Sequence, residues 1–272
     1  MVFLRLVALS SLAFSSTLSA ADVPKEPTGK WIADFAANKC LLSRSYGTDE
    51  KPFVLTFEQA PMDDGISIHV FKNGNRQDLR YGQAKVRFGS GPTVDAKFGA
   101  YSTANKLRRM DIAILDDSYK QATGNETISI SANGEFDESF TLPGFGKALD
   151  VLHSCVVDLG EHWGLSAEQQ NRIAKPAKPN QPLYSYFSGD DYPSAAIKKD
   201  ASGRTDVRVS VDETGKPTDC IVLRQSGNES LDKVTCGVLL RRARFQPAVD
   251  IDGRPVKSII VSGVTWLLVD AS

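Results

Sequence analysis

From Asp206 to Asp212 polar and apolar positions alternate without a slip, Val207, Val209 and Val211 on one side and Asp206, Arg208, Ser210 and Asp212 on the other. That period predicts a half-buried strand. Glu213 to Pro217 then place Gly215 where a short hairpin loop needs positive φ, and Cys220 to Gln225 resumes an extended, branched pattern, so an antiparallel pair is expected. Ser226 and Gly227 break the pairing, Asn228 is placed to cap a helix, and Leu231, Val234, Val238 and Phe245 share one helical stripe. Pro247 reads as the end of that helix, Asp252 and Gly253 as a turn, and Val256 to Leu268 as a last strand carrying Ile259, Ile260, Val261, Val264 and Trp266. Chain directions then favour a two-one-three strand order, with every neighbour antiparallel and one edge of the last strand unpaired.

Between Trp31 and Leu142 short alternating runs recur: Phe53, Leu55, Phe57; Ile66, Ile68, Val70; Val86, Phe88; Met110, Ile112, Ile114; Ile128, Ile130; Phe136, Phe140. Turn signals at Asp64–Gly65, Asn73–Gly74, Gly89 to Pro92 and Asn133–Gly134 separate them, so this part is a mostly antiparallel β domain. Pro143 suits a first helical turn, and Phe145, Ala148, Leu149, Leu152, Val156 and Leu159 form the stripe of a helix that closes the β domain. Ser166, with Glu168 and Gln169, caps a second short helix to Ile173. The fold class is therefore α+β, an N-terminal β-rich domain at 22–173 followed by a β-β-α-β domain with a three-stranded antiparallel sheet at 192–270. Ala174 to Asp191, with Pro176, Pro179 and Pro182, reads as a linker outside both cores that would reach about 55 Å in polyproline form. Asp22 to Lys30 reads as a flexible lead-in.

Composition changes this picture at one end. Met1 to Ala21 has Arg5, an apolar run from Leu6 to Leu18, and small residues Ser19, Ala20 and Ala21, the layout of a cleaved export signal. The apolar run is shorter than the ~20 residues that span a bilayer, so no transmembrane span is expected once it is removed. Export makes the four cysteines candidates for two disulfides, for which three connectivities exist. The pairing chosen is Cys40 with Cys155, stapling the two ends of the β domain, and Cys220 with Cys236, tying the second hairpin strand to the helix above it. Cys236 lies off the Leu231, Val234, Val238 stripe, so the second bond requires a helix that is rolled or lies near the sheet's edge. The net charge of −1 excludes a general electrostatic hold on nucleic acid.

Candidate chemistry is sparse. There is no Cys-x-x-Cys, and the only histidines, His69, His153 and His162, lie in unrelated contexts as surface or packing residues, so neither a metal nor a cofactor is expected. No Gly-x-Ser-x-Gly occurs, and no catalytic residue is assigned. The acidic pairs Asp63–Asp64, Asp116–Asp117 and Asp190–Asp191 read as turns or linker, and Arg241, Arg242 and Arg244 as cations at the negative end of a helix. The Asn125 and Asn228 glycosylation patterns carry weight only in a eukaryotic secretory route.

The C-terminal part resembles the C-terminal domain of TonB energy transducers. The resemblance rests on Tyr192–Pro193 opening a short helix through Ala195 and Ala196, on Gly203, the Val207, Val209, Val211 alternation, Gly215, and Ser226–Gly227. It continues with Leu231–Asp232, the run Arg242 to Ala248, and Gly253, Pro255 and Val256. It implies a non-enzymatic periplasmic protein whose domain docks a short extended peptide from an outer-membrane receptor against the final strand, in transport or energy coupling. Mapped here, the docking edge is Lys257, Ser258, Ile259, Ile260, Val261, Ser262, Gly263, Val264, Thr265 and Trp266. A second class of function competes, an envelope structural or assembly protein whose last strand is covered by its own N-terminal domain or by a second copy. An enzyme is the third.

Overall fold

The computed structural model describes residues 23–36, 38–63, 65–74, 76, 78–103, 107–115, 118–121 and 127–268. The expected export signal, Asp64, the Asp116–Asp117 pair and Asn125 lie outside the described residues. Nine strands make the N-terminal sheet: β1 (Ile32–Ala36), β2 (Lys39–Gly47), β3 (Pro52–Gln59), β4 (Ile66–Asn73), β5 (Arg80–Phe88), β6 (Thr93–Ser102), β7 (Leu107–Ile114), β8 (Thr127–Ala132) and β9 (Phe136–Thr141). Their order is β1-β2-β3-β4-β7-β6-β5-β8-β9, and every neighbouring pair is antiparallel. The sheet is a half-barrel whose inward rows, among them Leu42, Leu55, Phe57, Ile68, Val86, Ile112 and Ile130, are buried. α1 (Phe145–His162) lies against this core with Phe145, Ala148, Leu152, Val156 and Leu159 buried. Phe145 meets Phe57 at 4.7 Å between ring centroids, and the Cys40–Cys155 disulfide, with Cα atoms 5.9 Å apart, bonds α1 to β2.

Two expectations for this half need correction. The lead-in is not loose: Lys25 N–H donates to Ser139 O at 2.7 Å, Thr141 N–H to Lys25 O at 3.0 Å, and Thr28 N–H to Ser45 O at 2.9 Å. Residues 25–28 therefore stitch β9 to β2, satisfying strand edges that would otherwise face water. β6 also joins the sheet although no run there was singled out, because its inward positions are the small Ala96 and Ala100 around Phe98.

After α2 (Ala167–Arg172), capped by Ser166 as expected, the supposed linker folds onto the C-terminal part. β10 (Ile173–Lys175) and β11 (Lys178–Pro179) pair with later strands, Leu183–Tyr186 and Gly189–Asp191 form short 3-10 turns, and Ala177 and Tyr186 are buried in the C-terminal core. Its prolines do not extend it, because the segment is held by the C-terminal part: Asn180 N–H and the Tyr186 hydroxyl both donate to Arg244 O at 2.9 Å.

Past α3 (Ser194–Ile197), β12 (Gly203–Val211), β13 (Pro217–Arg224), α4 (Glu229–Arg242) and β17 (Ser258–Trp266) form the β-β-α-β unit. Between α4 and β17 come β14 (Phe245–Gln246), which pairs with β11, β15 (Ala248–Asp250), which pairs with β10, and β16 (Pro255–Val256), which pairs with β15. The main sheet has the expected order β13-β12-β17, wholly antiparallel. Val207, Val209 and Val211 are buried in one cluster with Val238 and Leu239 of α4. Gly215 has φ +80°, and a Cβ there would lie 1.9 Å from Phe245 O, so the hairpin requires glycine both for its conformation and for space. α4 stops at Arg242 rather than at Pro247, because Phe245 N–H donates to Gly215 O at 2.9 Å and the next residues pair as a strand.

Candidate peptide-docking edge

The site is built on β17. Its even-numbered side chains face α4: Val264 and Trp266 are buried in one cluster with Leu231 and Ala196, and Trp266 Nε1–H donates to Thr235 Oγ1 at 2.9 Å. Phe187 and Tyr192 meet the Trp266 ring edge-on, with centroids at 5.4 and 5.3 Å. α4 is fixed to the sheet by Asp232, 6% exposed, whose Oδ1 accepts from the fully buried Thr205 hydroxyl at 2.8 Å and from Ser226 N–H at 2.9 Å.

Register decides which backbone groups face outward. Asp212 N–H donates to Lys216 O at 3.0 Å and Ser210 O accepts from Thr218 Oγ1 at 3.4 Å, so the even-numbered residues of β12 turn their backbone toward β13. Its odd-numbered residues turn toward β17, opposite Ser258, Ile260, Ser262, Val264 and Trp266. In an antiparallel ladder residues directly opposite point toward each other or both away. The outward amides and carbonyls of β17 therefore belong to Ile259, Val261, Gly263 and Thr265. Among the described residues no strand pairs with that side. Lys257 precedes the strand and is exposed.

The opposite edge is engaged. Asn38 Nδ2 of the β1–β2 turn donates to Leu223 O of β13 at 2.8 Å. The Cys220–Cys236 disulfide, with Cα atoms 5.5 Å apart, ties the edge strand β13 to α4. On the sheet face away from α4, the Arg208 guanidinium lies 5.2 Å from the Trp163 ring centroid, just beyond α1. The N-terminal part thus meets this unit at the β13 edge and over the face of the central strand β12.

On that same face Asp206 accepts from Arg204 Nε at 2.7 Å and from Arg224 Nε at 2.6 Å. Of the arginines read as helix-terminal cations, Arg242 has a specific partner: its Nη1 donates to Asp191 Oδ2 at 2.6 Å, and this bond is the main reason that the Asp191 pKa falls to about 2.

His69, taken as a surface or packing residue, is 7% exposed and sits between two carboxylates, Nδ1 at 2.7 Å from Asp111 Oδ1 and Nε2 at 3.2 Å from Glu58 Oε2. Burial lowers its pKa, but the two hydrogen bonds outweigh burial and the net shift is upward. Its neighbours Glu58 and Asp111 lie on the adjacent strands β3 and β7, so only the strand order reveals the cluster. Among the described residues no group of three or more His, Cys, Asp or Glu is arranged to hold a metal.

These features define an α+β module with one face of its sheet sealed by a helix and one long edge unpaired among the described residues. Residues 189–267 match the family Gram-negative bacterial TonB protein C-terminal, and the chain carries a TonB C-terminal domain over that span. No curated protein matches the chain. Domains of this family generally bind outer-membrane receptor segments, are typically non-enzymatic, and imply a TonB-like role in energy transduction. No helix among the described residues is long and apolar enough to cross a membrane, and the two disulfides are consistent with a periplasmic or envelope location.

Proposed function

We propose that the C-terminal unit binds an extended peptide by β-strand addition along β17, and that the peptide is a segment of an outer-membrane receptor. In this reading Met1–Ala21 is a cleaved export signal, the protein works in the periplasm, and the half-barrel at 22–173 and the unit at 192–270 are its two domains. The observation that carries the reading is the outward row at Ile259, Val261, Gly263 and Thr265, which no strand among the described residues pairs, beside a β13 edge engaged by Asn38. Main-chain hydrogen bonds to that row would supply affinity, and alternate side chains would supply specificity. The described contacts of the N-terminal part, Asn38 on β13 and Trp163 over Arg208 of the central strand β12, leave the outward row of β17 without a strand partner.

The test is photo-crosslinking in intact cells from position 265, whose side chain is exposed, with and without Val261→Pro, which deletes an outward N–H. The expected result is an adduct with a receptor segment that Val261→Pro abolishes while thermal stability changes little. Equal crosslinking with proline at 261, or no receptor adduct, would overturn the proposal.

A further inference from the structure

Strand alternation turns Leu55, Phe57, Ile68 and Val70 into the half-barrel core and leaves Thr56, His69 and Asp111, side by side on β3, β4 and β7, on its outer face. Yet Thr56 and His69 are only 5% and 7% exposed. The end of β13 accounts for the cover. Leu223 O accepts from Asn38, and the next residue of the turn, Lys39, has its Nζ 3.9 Å from Glu58 Oε2. Burial and Asp111 raise the Tyr101 pKa while Arg109 and Arg224 oppose the rise, so Arg224 stands within electrostatic reach of the Tyr101 hydroxyl. Tyr101 O–H in turn donates to Asp111 Oδ2 at 3.1 Å. Asn38 adjoins β2 and Tyr101 lies on β6, so the consecutive residues Leu223 and Arg224 lie across β3, β4 and β7, with His69 beneath them.

We infer that His69 is a proton sensor in this seat: charging its imidazole loosens the hold of the half-barrel on the C-terminal unit. The groups around the ring are Glu58 of β3 and Asp111 and Arg109 of β7, with Lys39 of β2 beyond Glu58, Tyr101 of β6 beyond Asp111, and Arg224 of β13 above. Burial lowers the His69 pKa, and the bonds to Asp111 and Glu58 outweigh it. Both carboxylates belong to the half-barrel and stay when the C-terminal unit lifts, whereas the cover and the Arg224 charge leave with that unit. Each departure favours an imidazolium. The undocked half-barrel therefore binds the proton more tightly than the docked one, and by linkage the proton favours undocking. The hold is full above the undocked pKa, weakens as pH falls through the interval, and levels off below the docked value, which itself lies above the ordinary 6.5. A single charge about 10 Å away at a half-exposed site moves a pKa by roughly 0.7, which makes the docking equilibrium about fivefold weaker in acid.

The test is thiol labelling of Thr56→Cys in the full-length oxidised protein from about pH 9 down to about pH 6. Each rate is divided by that of a cysteine peptide at the same pH, which leaves the opening of the seat. The expected result is a rise of about fivefold as pH falls, abolished by His69→Gln, with Asn38→Ala raising labelling at every pH. Arg224→Gln, at an exposed position, leaves Arg204 on Asp206; it should shrink the rise and move the His69 imidazole titration, followed by NMR, upward. The exposed His153 and His162 serve as references. A rise that survives His69→Gln, no rise at all, a His69 titration that Arg224→Gln leaves in place or lowers, or labelling indifferent to Asn38→Ala would each overturn the inference.

Discussion

Removing the Asp232 carboxylate should unlock α4 from the sheet it covers. Asp232 Oδ1 accepts from Thr205 Oγ1 at 2.8 Å and Ser226 N at 2.9 Å, and Thr205 and Asp232 are 0% and 6% exposed. In Asp232→Ala both donors lose their acceptor where water enters poorly, and each such loss costs about 1–3 kcal/mol. With partial relaxation of the hydroxyl, the C-terminal unit should lose about 3 kcal/mol. Asp232→Asn can keep Oδ1 in place and lose only the charge, and since charged acceptors are roughly twice as strong, it should lose about 1 kcal/mol. Native-state hydrogen exchange read by mass spectrometry on peptides from β12 and α4 gives both opening free energies, with β3 peptides as an internal control. Equal losses for Ala and Asn, or a loss below about 1 kcal/mol for Ala, would refute the claim that this carboxylate joins helix to sheet.

Two further outcomes follow from the half-barrel. Replacing both Cys40 and Cys155 by Ser releases a loop whose ends are 115 residues apart, so urea unfolding should show a loss of about 5 kcal/mol confined to β1–β9 and α1; a loss below about 2 kcal/mol would contradict it. His69, flanked by Glu58, Asp111 and Arg109, has a raised folded pKa, so its contribution is fully present below the unfolded value of about 6.5 and is lost as pH rises through the folded value. Unfolding free energies measured across that window should fall with pH in the wild type relative to His69→Gln, and parallel profiles would exclude an imidazolium at this position.

What the chain discloses in one dimension depends on whether a local period or a distant partner sets the structure. The Val207, Val209, Val211 alternation and the Gly215 turn define their hairpin locally, and the order β13-β12-β17 is the one that chain direction favours when every neighbour is antiparallel. Phe245 looked helical because it shares the stripe of Leu231 and Val238, but the amide that would continue the helix is taken by Gly215 O, a partner 30 positions away in sequence. Pro176, Pro179 and Pro182 read as a linker for the same reason: nothing nearby reveals that Ile173, Lys175 and Pro179 pair with residues about seventy positions later. The outward row of the candidate edge was legible only as a stretch of strand. Separating Ile259, Val261, Gly263 and Thr265 from their neighbours needed the register with β12.

The Cys40–Cys155 bridge also sets how the molecule yields to a pull between its two ends. Covalent closure of a loop 115 residues long withholds about 400 Å of contour length, at ~3.5 Å per extended residue, however far the half-barrel is stretched. Tension entering near Lys25 is therefore handed from Cys40 directly to Cys155 in α1 and on toward β10, bypassing β3 to β9. Only chain outside the closed loop can pay out, so the strands between Cys40 and Cys155 add no length to the path.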